Sequence, residues 1–171
     1  LYNLATNDKV VVQGKHSRKI VDGAWTPATD SHDWLALASM DRTLTVTDCT
    51  SQHVAQYGLK SDPLAVKFCK QKADGTNGSS SGAAMLCVNT GGRTLVLQAL
   101  NAAVPPLELS FQEKYGPIRN FEWYGEGYVV VSFQNGYIAS ISSHISEIQD
   151  EIASLKLHPR AAHALAYNHA L

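Results

Sequence analysis

Apolar residues in this chain recur mostly at every second position, in short runs, and seldom at helical intervals. Four such runs follow one another near the start, at residues 20–25, 34–38, 43–47 and 53–59. Alternation closed by turn residues is the pattern of half-buried antiparallel strands, so these segments predict a four-stranded meander. The quartet recurs at 64–69, 85–89, 94–99 and 107–112, and again at 118–124, 128–133, 137–142 and 148–155.

Equivalent positions give the period. Met85 to Tyr128 is 43 residues and Trp123 to Tyr167 is 44, whereas Leu35 to Tyr128 takes 93 for two units because the tract 72–83 is inserted in the second. Four strands repeating every 40–45 residues predict a WD-type propeller blade. The predicted fold is therefore all-β, an incomplete WD40-type β-propeller of three full blades with a partial blade at each end. The map is 1–14 as the end of one blade, 20–59, 63–112 and 118–157 as blades, and 162–171 as the start of the next. The first residue is Leu1 and no secretory signal leads the chain, so it reads as an internal piece of a longer one. A broken ring leaves blade faces unpaired, and such faces are expected to be covered by the remaining sequence or to drive self-association.

Turn chemistry supports the register. Asn135-Gly136 lies between two strand patterns where a two-residue hairpin needs positive φ, and Gly91-Gly92 and Asp41-Arg42 occupy the corresponding place in the earlier units. One stretch pulls the other way: Ile145, Ile148, Ile152 and Leu155 fall at helical spacing, and Ser146 with Gln149 could form a capping box. An outer strand is due there, and the repeat argues for strand.

Composition narrows the class. Of 171 residues 44% are hydrophobic and 17% charged, with a net charge of -1, which excludes whole-chain disorder and argues against bulk nucleic-acid binding. No apolar run approaches the roughly 18 residues a membrane span needs. Cys49, Cys69 and Cys87 are odd in number and widely spaced, which favours reduced thiols in a cytosolic setting.

Several motifs invite chemistry and are better explained without it. Gly78-Ser79-Ser80-Ser81-Gly82 matches a nucleophile elbow, but a Gly- and Ser-rich tract supplies neither the strand before it nor the helix after it. Asn77-Gly78-Ser79 is a glycosylation sequon that matters only in a secreted chain. His158, His163 and His169 lack a zinc-site spacing and a nearby Cys pair. Trp25, Phe68, Trp123 and Tyr167 recur once per unit, which predicts packing between neighbouring blades rather than a ligand platform. No catalytic residue, cofactor or metal is expected.

Gly14-Lys15-His16 precedes a strand ending at Trp25, and the run from Leu37 through Ser39, Asp41 and Thr43 to Asp48 resembles the Ser-x-Asp segment of WD repeats, with Thr47 where Trp is usual. Leu1-Tyr2-Asn3, the segment 14–20 and the segment 121–142, with Phe121-Glu122-Trp123-Tyr124 at its head, are more specific. Together they resemble the amino-terminal propeller of the family of WD-repeat protein nineteen, a subunit of intraflagellar transport complex A. The resemblance implies a non-catalytic interaction scaffold in retrograde transport and ciliary entry of membrane cargo. It implies as partners the other subunits of that complex and membrane cargo adaptors, and a place in the cilium or flagellum, at its base and in the cytoplasm; anionic lipid is expected instead from the charge of the loops. Carried over residue by residue, His16, Ser39 and Asp41 would form the hydrogen-bonded set that ties a blade together.

In a WD propeller the loops from outer to next inner strand share one face with those joining the second strand to the third. Those loops hold Lys15, Arg18, Lys19, Arg42, Lys60, Arg93, Lys114 and Arg160 against Asp41, Asp62 and Glu113, leaving six basic and twelve acidic residues elsewhere. This basic face is the candidate partner surface, for an acidic protein or phosphoinositide headgroups. An enzyme would need clustered carboxylates or a nucleophile with a base, and none can be assembled. A nucleic-acid reader would betray itself by steep salt dependence.

Overall fold

A computed structural model describes residues 2, 4–9, 11, 15–26, 33–48, 54–70, 84–100, 105–125, 127–143, 151–161 and 165. Twelve strands are found among them: β1 Ile20–Trp25, β2 Trp34–Ser39, β3 Thr43–Asp48, β4 Val54–Gly58, β5 Pro63–Lys70, β6 Ala84–Thr90, β7 Thr94–Ala99, β8 Leu107–Ser110, β9 Ile118–Tyr124, β10 Tyr128–Phe133, β11 Tyr137–Ser142 and β12 Glu151–Lys156. They form three four-stranded antiparallel sheets, each built of consecutive strands. A three-residue 3-10 turn, Glu113–Tyr115, lies between β8 and β9. The helical spacing around Ile152 and Leu155 gives way to strand at β12, which pairs with β11 from Tyr137↔Lys156 to Ile141↔Glu151. The insert 72–83 lies outside the described residues, as does residue 167.

Strand alternation assigns each sheet two faces, and the central sheet uses both. Leu86, Val88 and Val96 pack with Ala36, Ala38, Leu44, Val46, Val66 and Phe68 between the first and second sheets. Met85, Cys87, Leu95 and Leu97, one residue out of phase, pack with Phe121, Trp123, Val129, Val131, Phe133 and Ile141 between the second and third. A period of two in a strand sends neighbours to opposite sides, so β6 and β7 serve two cores at once. An aromatic group closes the second core at its loop end: Tyr115 stacks on Phe133 with centroids 5.0 Å apart, and Phe111 meets Phe133 edge-on at 4.9 Å.

Inner strands also join sheet to sheet. The Asp22 carboxylate on β1 accepts the Val66 backbone N–H on β5 at 2.9 Å. Lys67 on β5 pairs with Glu122 on β9 at 2.5 Å, and its ammonium lies 5.5 Å from the Phe121 ring centroid. Phe68 and Trp123, 8% and 7% exposed, fill the contacts between sheets, whereas Trp25 is 53% exposed. The expectation of a buried aromatic fails at Trp25 because its partner in register, Leu35, lies on the β2 face turned away from the second sheet. Among the described residues no sheet precedes β1 to cover that side.

Candidate functional site: the loop face

Three hairpin turns and the connections between sheets meet at one end of the molecule. Each hairpin has three residues between its strands, at 40–42, 91–93 and 134–136, not the two expected. Positive φ falls on the last residue in the outer two, Arg42 at 62° and Gly136 at 79°, and on Gly91 and Gly92 in the middle one. Asn135 therefore avoids the left-handed region, and a three-residue loop closed by one such residue provides the twist.

A backbone clasp repeats at every turn. The first turn residue donates its N–H to the loop before: Met40 to Lys19 O at 2.9 Å, Gly91 to Asp62 O at 2.9 Å, Gln134 to Pro117 O at 2.8 Å. The third accepts from the loop after: Leu59 N–H to Arg42 O at 2.8 Å, Phe111 to Arg93 O at 3.0 Å, Leu157 to Gly136 O at 3.0 Å. These bonds link seven loops into one continuous surface.

In the first sheet side chains reinforce the clasp. His16 Nδ1 lies 2.8 Å from Thr43 Oγ1 and its Nε2 lies 2.8 Å from Thr45 Oγ1. Asp41 accepts from the Thr43 hydroxyl at 2.5 Å and backbone N–H at 3.1 Å, and from the Ser17 N–H at 2.6 Å. An ionised carboxylate only accepts, so the Thr43 hydroxyl spends its proton on Asp41 and must accept from His16 Nδ1–H. His16 Nε2 extends the chain to the Thr45 hydroxyl. The chain runs Thr45, His16, Thr43, Asp41, and Asp41 reaches the ring only through Thr43, its direct approach of 3.6 Å being too long for a hydrogen bond. The Thr43 hydroxyl above all, with the Ser17 and Thr43 amides and Ser39, holds the Asp41 carboxyl well below the usual carboxylate range, against the opposing effect of burial.

Ser39 donates to Arg18 O at 3.1 Å and receives the Asp41 N–H at 3.4 Å, so His16, Ser39 and Asp41 lie in one network. They are joined by Thr43, Thr45 and Ser17, which sequence reading passed over. The alternation Thr43-x-Thr45 on β3 was the available signal, since it places both hydroxyls on one face. The third turn reaches the same end differently: Asn135 Nδ2 donates to Lys114 O at 2.9 Å.

The eight basic residues all lie on these loops, but half of them are engaged. Arg42 pairs with Asp62 at 2.7 Å, Lys60 with Glu108 at 3.0 Å and Arg93 with Glu113 at 2.9 Å, while Lys114 sits 4.7 Å over the Tyr115 ring. Lys15, Arg18, Lys19 and Arg160 are exposed and carry no ion pair among the described residues. Uncompensated positive charge is thus concentrated before β1. Among the described residues no metal-ligating cluster occurs, and no helix is long and apolar enough to cross a membrane.

Three consecutive four-stranded antiparallel meanders, joined at their inner strands and clasped at their loops, define an incomplete WD-type β-propeller. A family profile described as the WDR19 first beta-propeller matches residues 1–171, and the chain belongs to that family. It is 35% identical to mouse WD repeat-containing protein 19 over 158 residues, 92% of this chain. To WD repeat-containing protein dyf-2 of Caenorhabditis elegans it is 34% identical over 154 residues, 90% of this chain. It spans 11% of the length of each of these relatives. In fold it is similar to the Myceliophteria thermophila Cps50 (Swd1) β-propeller domain, with a TM-score of 0.65, 12% identity, and coverage of 94% of this chain and 49% of that one. The computationally designed Ika4 protein gives a TM-score of 0.63 at 15% identity, covering 92% of this chain and 84% of that one.

Proposed function

We propose that this chain is a non-catalytic interaction segment of a scaffold subunit of intraflagellar transport complex A, acting in retrograde ciliary transport and ciliary entry of membrane cargo. The observation that carries this reading is the match to the WD-repeat protein 19 family along the whole chain. Blades 20–59, 63–112 and 118–157, with 1–14 and 162–171 as parts of neighbouring blades, would contribute one arc of the ring. The loop face supports a docking role, because its clasps fix side chains in place and reduce the ordering cost of binding. Other subunits of the complex are the proposed partners, in the cilium and at its base.

A second reading, an adaptor for an acidic protein or for phosphoinositide headgroups, is favoured by the unpaired charges of Lys15, Arg18, Lys19 and Arg160. The test of the first reading is purification of the tagged full-length protein from ciliated cells. Co-purification of the other complex A subunits is expected, and their absence would overturn it. Reversal of Arg18, Lys19 and Lys60 to Glu tests the second: partner or liposome binding is expected to fall and to lose salt dependence, and unchanged binding would refute it.

A further inference from the structure

At the inner rim of the loop face an apolar run crosses from one sheet to the next. Asp22 on β1 and Val66 on β5 are joined at 2.9 Å, which sets the two strands side by side. Two residues before each, at the loop end, stand Ile20 and Leu64, 45% and 52% exposed. Gly92 continues the run: a Cβ built there would lie 3.7 Å from Leu64 Cδ1 and 3.9 Å from Pro117 Cβ, so Leu64 and Pro117 flank the same glycine. Ile118 N–H donates to Gly92 O at 2.6 Å and holds the start of β9 against that turn. Leu64 and Pro117 thus face one another across Gly92, and Ile20 stands exposed at the start of β1, the strand joined to β5.

Charge at the two ends of this run has one sign. Lys15, Arg18 and Lys19 adjoin Ile20 in sequence and Arg119 follows Pro117 by two, and all four are exposed without an ion pair among the described residues. Asp41, bonded to Ser17 within the first cluster, is already committed to Ser17 and Thr43, Asp22 to the Val66 N–H, and Asp62 to Arg42. Between the ends the surface charges are matched internally, Arg93 with Glu113 and Lys60 with Glu108.

We propose that this rim seats a short protein segment that carries aliphatic side chains between acidic ones. Aliphatic groups would lie along Ile20, Leu64 and Pro117, and carboxylates would reach Arg18 and Lys19 at one end and Arg119 at the other. Charge complementarity selects the acidic flanks, and the apolar run between them selects protein over a headgroup layer, which is polar where it would meet Leu64. The inference names a partner chemistry for the docking face proposed above, but does not require membership of the transport complex.

The test is selection of random displayed peptides on purified full-length protein, with affinities measured for the wild type, Ile20→Ser/Leu64→Ser and Arg18→Glu/Lys19→Glu. All four positions are solvent-exposed, and unchanged circular dichroism confirms that each variant is folded. Selected peptides are expected to be acidic and to contain Leu or Ile, and each variant is expected to weaken them by about tenfold, the charge variant with a shallower salt dependence. Peptides that are basic, or that bind both variants as well as wild type, would overturn the proposal, as would recovery of none. Phosphatidylserine vesicles with the same dependence on Ile20 and Leu64 would overturn it in favour of lipid. Co-purification of complex A subunits, scored separately, reports on the broader reading, so either can fail alone.

Discussion

At the scale of single residues, His16 and Asp41 act through the hydroxyls between them. Because the folded-state pKa of Asp41 lies below its ordinary 3.8, the ionised carboxylate favours folding at every pH above that value. That contribution is lost as pH falls from 3.8 toward the folded value. Acid unfolding of the wild type and Asp41→Asn, followed by fluorescence, should therefore show a stability difference that is constant near neutrality and shrinks in acid. A pH-independent difference would contradict the account. Thr43→Val should mimic much of the loss, since it removes the hydroxyl that links the ring to the carboxylate.

Glycines at the turns are not equivalent either. A Cβ on Gly136 would sit 1.8 Å from His158 O, within the clasp itself, whereas at Gly92 the nearest atom is an ordinary 3.7 Å away. Gly136→Ala is expected to cost about 3 kcal/mol or more, and Gly92→Ala about 1 kcal/mol, the latter for its φ of 76° alone. Chemical denaturation of the two variants tests the ranking.

At the scale of elements, alternation in β6 and β7 does the structural work. Leu86, fully buried between the first and second sheets, should cost about 3 kcal/mol when cut to Ala. Leu155 on β12, 60% exposed, should cost less than about 0.5 kcal/mol by the same measurement. These strands were legible in the sequence because each repeats a period of two and is punctuated by turn residues. The turn lengths were not: Asn-Gly reads as a two-residue hairpin, and only the neighbouring loop carbonyls of Pro117 and Tyr115, which receive the Gln134 and Asn135 amides, draw a third residue into the turn. Nor could the sequence distinguish Trp25 from Phe68, because their difference lies in whether another sheet covers that face. The basic loops were readable by position, but their internal pairing was not, since Lys60 and Glu108 are 48 residues apart.

At the scale of the whole molecule, three sheets with two shared cores and a repeated clasp form one continuous arc. That arc presents its loops as a surface with apolar positions at the inner rim and free positive charge toward the first blade. Such concentrated positive charge orients an arriving partner before contact. Raising the salt concentration should therefore slow association more than it speeds dissociation, as measured by stopped-flow with the purified partner.

The most direct test of the account is cross-linking mass spectrometry on the full-length protein within complexes purified from ciliated cells, using an amine-to-carboxylate reagent. Lys15, Lys19, Lys60 and Lys114 on the loop face should link to acidic residues of other subunits. Links to other subunits from Lys67 alone, with the loop lysines joined only to their own chain, would contradict it.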